Sequence, residues 1–178
     1  MRKIVLTFGL IAGAMLSLFM ILTMPFHDRI GFDTGLVLGY TGMVLAFLMI
    51  FVGIKTYRDN VGGGSVSFGR AFSVGLLITI IATVCYVATW EVILYKFAPD
   101  FMTKYAAHMV ESAKMAGKSD AEVAAVAKEM AKETEAYSNP LVSIAYTFVE
   151  PFPVGLVFTA LAAWVFSRRR RETVAARA

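Results

Sequence analysis

The chain holds one cysteine, five prolines and two histidines in 178 residues, and only 17% of its residues are charged. Each shortage removes a class of protein. A lone cysteine, Cys85, set in an apolar run cannot build a disulfide framework or a cysteine-rich metal cluster. His27, next to Asp28, and the distant His108 lack the spacing of metal ligands, so a surface role is expected for them, with no metal and no cofactor. No G-x-S-x-G, H-E-x-x-H or paired metal-carboxylate pattern occurs, so nothing in the residues marks an enzyme. A soluble domain carries roughly 25% charged residues, and the deficit argues against a soluble enzyme, a disordered chain or a nucleic-acid-binding domain. What fills the space is apolar: 58% of residues are hydrophobic, and the mean hydropathy is +0.67.

A hydrocarbon layer about 30 Å thick takes roughly 20 apolar residues in a helix. Four stretches meet that length, at about 4–24, 36–54, 71–95 and 141–166. The first follows Met1-Arg2-Lys3 and is longer than the roughly 7–15 apolar residues of a signal peptide, with no small-residue cleavage site behind it. It is expected to stay as an uncleaved helix. The fourth is interrupted by Glu150, Pro151 and Pro153; its two pieces are each too short to cross, so one kinked span is expected.

The net charge of +4 is distributed as a threading signal. With the N-terminus inside, the short inner segments hold ten bases, including the run Arg168, Arg169, Arg170 and Arg171 directly after the fourth span. The other side holds Arg29 and six lysines of a long loop, where seven acids outnumber them. Bases gather on the cytoplasmic side, so both termini are expected there, with residues 167–178 as a cytoplasmic tail anchored by the four arginines.

Residues 99–138 carry helix punctuation. Pro99 suits a first helical position, Phe101, Tyr105 and Met109 recur every four residues, and Gly117 suits a helix end. Ser119-Asp120-Ala121-Glu122 is a capping-box pattern, and Val123, Val126, Met130 and Tyr137 follow as an apolar stripe. The spacing predicts an amphipathic helical hairpin on the extracytoplasmic side between spans three and four. It would act as a cap packed on the spans or as a docking site for a partner. The segment 55–70 holds Gly62, Gly63 and Gly64 without a preceding strand or a G-K-[ST], so it reads as a flexible cytoplasmic turn and not a phosphate loop. Asp59 can pair there with Arg58 or Arg70.

Only two acids fall inside spans. Glu150 lies nine residues past Leu141, roughly 14 Å deep at about 1.5 Å per residue. A carboxylate at that depth costs a few kcal/mol, which requires a cavity, a partner or the bundle interior. Ser143, Thr147 and Glu150 share one helical face, with Tyr146 beside them. The stripe has two readings: a glutamate hydrogen-bonded between helices, or a proton or cation path leading to an acid beside a helix break. Glu91, near the end of its span with Trp90 and Tyr95, can reach water or Lys96; if it met Glu150 the two would titrate together. Small residues form stripes at Gly9, Gly13 and Ser17, at Gly35 and Gly39, at Gly42 and Ala46, and at Gly155, Thr159 and Ala163. Such faces pack helices within a bundle or between copies of the chain.

Several strings are specific. Gly39-Tyr40, Gly53-Ile54-Lys55-Thr56-Tyr57-Arg58-Asp59-Asn60, Ser67-Phe68-Gly69-Arg70-Ala71-Phe72 and Thr89-Trp90-Glu91 resemble the bacterial domain of unknown function 4199 family over most of the chain. The resemblance implies a small four-span integral membrane protein and carries no activity, substrate or catalytic residue with it. The expectation is therefore an all-α, four-transmembrane-helix bundle of the bacterial inner membrane. Its partners are the lipid bilayer and, through small-residue faces, a membrane protein or a second copy, with no nucleic acid. Its role is non-enzymatic (accessory, assembly or structural), with a small proton- or ion-coupled transporter acting through Glu150 as the alternative.

Overall fold

The computed structural model describes the backbone of residues 1–175, and the side chains of residues 1–26 and 29–167. The chain is all-helical, 88% helix, with no strand among the described residues. The helices are α1 (Arg2–Thr23), α2 (His27–Asn60), α3 (Phe68–Lys96), α4 (Phe101–Met115), α5 (Asp120–Tyr137), α6 (Pro140–Val149) and α7 (Pro151–Ala175), with a short 3₁₀ turn (Met24–Phe26) joining α1 to α2. Four segments are long and apolar enough to cross a membrane: Arg2–Phe26, Arg29–Asn60, Phe68–Lys96 and Pro140–Ser167.

Helices α1, α2, α3 and α7 pack around a core of Phe47, Ile50, Ile54, Val74, Ile78 and Ala82, all fully buried. Backbones approach closely where small residues face α3. A Cβ on Gly13 would lie 2.6 Å from the Cβ of Cys85, and one on Gly155 would meet Thr79. The stripe Gly9-Gly13-Ser17 thus seats α1 on α3, and Gly155-Thr159-Ala163 seats α7 there. Hydroxyls bind the same seams: Thr89 donates to Ser17 at 2.7 Å, and Thr79 and Thr159 share a hydrogen bond of 3.1 Å. Around the circumference large apolar side chains face outward, among them Leu18, Leu22, Leu36, Val37, Val84 and Val157. Less than half of each apolar stretch is buried inside the bundle.

The hairpin forms as α4 and α5. Helix α4 ends in a Schellman turn, with Gly117 at φ 72 and the Lys118 amide donating to the Ala113 carbonyl. Helix α5 opens with the reciprocal capping box: the Ser119 amide donates to the Glu122 carboxylate at 2.9 Å, and the Glu122 amide donates to the Ser119 hydroxyl. The Ser119 hydroxyl, which donates to the Glu122 carboxylate at 2.7 Å, and then the Ser119 amide hold that carboxyl below the usual glutamate range.

Three boundaries differ from the sequence expectation. Helix α4 begins at Phe101 with Asp100 as its N-cap, so Pro99 precedes the helix and does not open it. The segment 55–70 is mostly helical: α2 runs on to Asn60 and α3 starts at Phe68, which leaves a turn of residues 61–67. Apolar length marks what a bilayer covers, whereas the backbone bonds of a helix continue past it wherever side chains permit. Likewise α2 begins at His27, ahead of its apolar stretch, and Gly31 at φ 75 breaks it near that end. In the 61–67 turn Gly63 and Gly64 adopt positive φ, and Arg58 pairs with Asp59 at 2.7 Å while lying over the Phe166 ring. Arg168, Arg169, Arg170 and Arg171 continue α7 in backbone, but their side chains, like those of His27 and Asp28, lie outside the described residues.

Candidate functional site

The hairpin end of the bundle is built differently from the opposite end. Ser17 and Thr89, Glu91 and Ser143, and Tyr86 and Glu150 place the late part of α1, the late part of α3 and all of α6 at that end. Between them lies a cavity of about 700 Å³. Phe19 and Met20 of α1, Gly35, Gly39 and Gly42 of α2, and Tyr86 and Trp90 of α3 form its walls. Tyr146, Thr147 and Glu150 line it too, and Phe101, Tyr105, Glu133 and Tyr137 of the hairpin cover it. Ligand pockets are commonly about 300–1,000 Å³ and mostly apolar, with few polar groups. This cavity has that character.

Glu150 sits where α6 stops and α7 starts. The prolines at 151 and 153 carry no amide hydrogen, so the helix breaks at Glu150 and its side chain reaches the cavity. Tyr86 donates its hydroxyl to Glu150 Oε2 at 2.8 Å. Thr147 is 3% exposed and lines the cavity; the Tyr137 phenol comes near its hydroxyl without completing a hydrogen bond, and no other partner reaches it among the described residues. Ser143, also buried, serves the helix seam instead, where it donates to Glu91 Oε1 at 2.7 Å and clamps α6 to α3. The polar stripe is therefore divided, with Thr147 and Glu150 on the cavity and Ser143 on the seam. The two glutamates hydrogen-bond to different hydroxyls, and Glu91, for which water or Lys96 is the sequence expectation, accepts from Ser143.

The hairpin docks through aromatic rings. Phe101 stands edge-on to Trp90 at 4.8 Å, and Phe32 packs against Phe101, Tyr105 and His108 at 5.0–5.6 Å. His108 lies 3.5 Å from Asp33, so it is a half-buried docking residue and not a plain surface histidine. An adjoining open recess of about 320 Å³ holds Asp33, His108 and Lys104, the last paired with Asp100 at 3.0 Å. Tyr137 rests against Tyr146 at 5.7 Å, and burial pushes its phenol above the usual range. No group of three or more His, Cys, Asp or Glu placed to hold a metal ion occurs among the described residues.

Tyr86, Phe32 and Asp33 were not singled out by sequence. Tyr86 and Trp90 share a helix face with Glu91 close by, and that aromatic pair was the available signal. Phe32 and Asp33 sit outside the apolar stretch, in a segment that length alone assigns to a connection.

Compared with known families, residues 7–168 match the one described as Protein of unknown function (DUF4199). No curated protein and no solved structure matches the chain.

Proposed function

We propose a function from the premise that this chain belongs to the DUF4199 family of proteins of unknown function: it is a multi-pass protein of the bacterial inner membrane with a non-enzymatic, accessory or assembly role. Both termini face the cytoplasm, and the α4–α5 hairpin stands on the other side. The observation that carries the membrane reading is the outward apolar surface. Leu22 and Val37 are 60% and 62% exposed in the folded chain, and such side chains recur on all four long segments. Water would oppose that surface at roughly 25 cal/mol per Å², whereas lipid would cover it. The orientation rests on the ten bases of the short segments opposite the hairpin. Cysteines placed at Ser65 and Ser138 in a Cys85→Ser background test it. A membrane-impermeant maleimide should label position 138 on intact cells and position 65 only after permeabilisation; the reverse pattern inverts the topology.

An ion-coupled transporter is the second reading, favoured by the presence of Glu150 and Thr147 on the cavity wall. Two features weigh against it. Ser143 is withdrawn from the path by Glu91, and the opposite half of the bundle is filled by fully buried Phe47, Ile50, Ile54, Val74 and Ile78. Crosslinking and co-purification from native membranes separate the readings. A stoichiometric partner supports the accessory role. A chain isolated alone, whose proteoliposomes carry a proton or cation flux that Glu150→Gln removes, overturns it in favour of transport.

A further inference from the structure

We propose that the cavity at the hairpin end binds a lipophilic organic cation, held by the Glu150 carboxylate and the rings of Tyr86, Trp90 and Tyr137. Four observations converge. The volume, about 700 Å³, suits a molecule of drug size and is far larger than a hydrated ion requires. The lining is predominantly acidic: Asp33, Glu133 and Glu150 reach it, its one basic side chain, His108, is paired with Asp33 at 3.5 Å, and among the described residues no lysine or arginine does. A fatty acid or a lipid phosphate would therefore meet three acids, with a histidine already paired to one of them as the single base. A metal ion would find no cluster of three ligating side chains among the described residues. The rings supply what remains, because an organic cation is attracted to aromatic surfaces within about 6 Å, most strongly where water is excluded.

Two polar atoms are left over for such a guest. Glu150 accepts from Tyr86 on Oε2, and no donor among the described residues reaches Oε1. The hydroxyl of Thr147, one turn earlier on the same wall, is buried without a hydrogen bond. A buried polar group without a bond costs roughly 1–3 kcal/mol, and an ammonium or a polar substituent on the guest would satisfy it. The site needs only the helix arrangement around the cavity, so it stands whichever way the chain threads and whether or not an accessory partner exists.

The test is equilibrium binding to the full-length protein in nanodiscs of zwitterionic phosphatidylcholine, with empty nanodiscs as the blank. Radiolabelled tetraphenylphosphonium is the probe, and tetraphenylborate, of the same shape and opposite charge, is its counterpart. Saturable binding of the phosphonium, at one per chain, with only blank-level partition of the borate is expected. Glu150→Gln should weaken it by about tenfold or more, the loss of one desolvated charge contact. Gly39→Leu leaves every charge in place and fills the void, since nothing lies within 4 Å of a Cβ built there; it should abolish saturation while the protein stays monodisperse. Equal affinity for the borate overturns the proposal. So does an absence of saturable phosphonium binding, or binding unchanged in a well-folded Gly39→Leu protein.

Discussion

The two halves of the bundle solve the same problem by opposite means. Away from the hairpin, helices meet through glycine, alanine and threonine, and the space between them is filled by Phe47, Ile50, Ile54, Val74 and Ile78. Toward the hairpin, α1, α2, α3 and α6 surround about 700 Å³, and aromatic rings with a few acids line the gap. In the bilayer proposed for this chain, lipid tails would be as apolar as leucine, so close packing and interhelical hydrogen bonds would supply the association energy. The tight half supplies it, which leaves the open half free to keep a cavity. Gly42 marks the change: it faces Phe19, while Gly39, one turn away, faces empty space.

The contrast can be broken most forcefully with a single residue type. Gly155→Leu drives a side chain into Thr79, and overpacking of this kind costs about 1–3 kcal/mol or more. The expected outcome is a clear fall in the midpoint of thermal unfolding in detergent. Gly39→Leu should leave that midpoint unchanged or slightly raised, because leucine is the better helix former by about 1 kcal/mol. Equal losses at the two sites would mean the halves are packed alike.

Smaller effects sharpen it. Ser143→Ala removes the donor to Glu91 at the α3–α6 seam and leaves a polar group short of its partner, at about 1–3 kcal/mol. Unfolding in denaturant should show that loss, while a cavity probe should bind as before, since Ser143 does not line the cavity. A double-mutant cycle of Thr79→Val with Thr159→Val should return a coupling of about 0.6 kcal/mol, the average for such bonds in membranes. The hairpin's own response is to pH. Glu122 is held below its usual value by Ser119, so its carboxylate stabilises the start of α5 above the ordinary glutamate value of ~4.3. That contribution is lost as pH falls through the lower, folded value. Amide protection factors of residues 120–123, each rate taken relative to its intrinsic value at that pH, should fall there while those of α3 hold.

Much of this arrangement was legible from residues. The four helices long and apolar enough to cross a membrane follow from apolar length, and the hairpin from Gly117 and the Ser119–Glu122 spacing, because caps are local chemistry. Glu150 stood out since a carboxylate among apolar residues beside Pro151 has few innocent explanations. What sequence could not supply was the partner of each polar group. Ser143 and Thr147 are equivalent by periodicity, yet Glu91 claims one and the cavity receives the other. That choice depends on how far α6 slides along α3, which no single helix encodes. The same is true of Phe32, whose meeting with Phe101, Tyr105 and His108 depends on where the hairpin folds back.

The sliding is fixed by one small device. On α3, Gly75 and Thr79 stand four apart; on α7, so do Gly155 and Thr159. The helices run in opposite directions, and each threonine enters the hollow of the other's glycine. A shift of one helical turn would set threonine against threonine or glycine against glycine, replacing a fit with a collision or a gap. The pair works as a vernier: it admits α7 at a single depth. Since α6 is joined to α7 through Glu150, that depth also decides the height at which the carboxylate meets Tyr86.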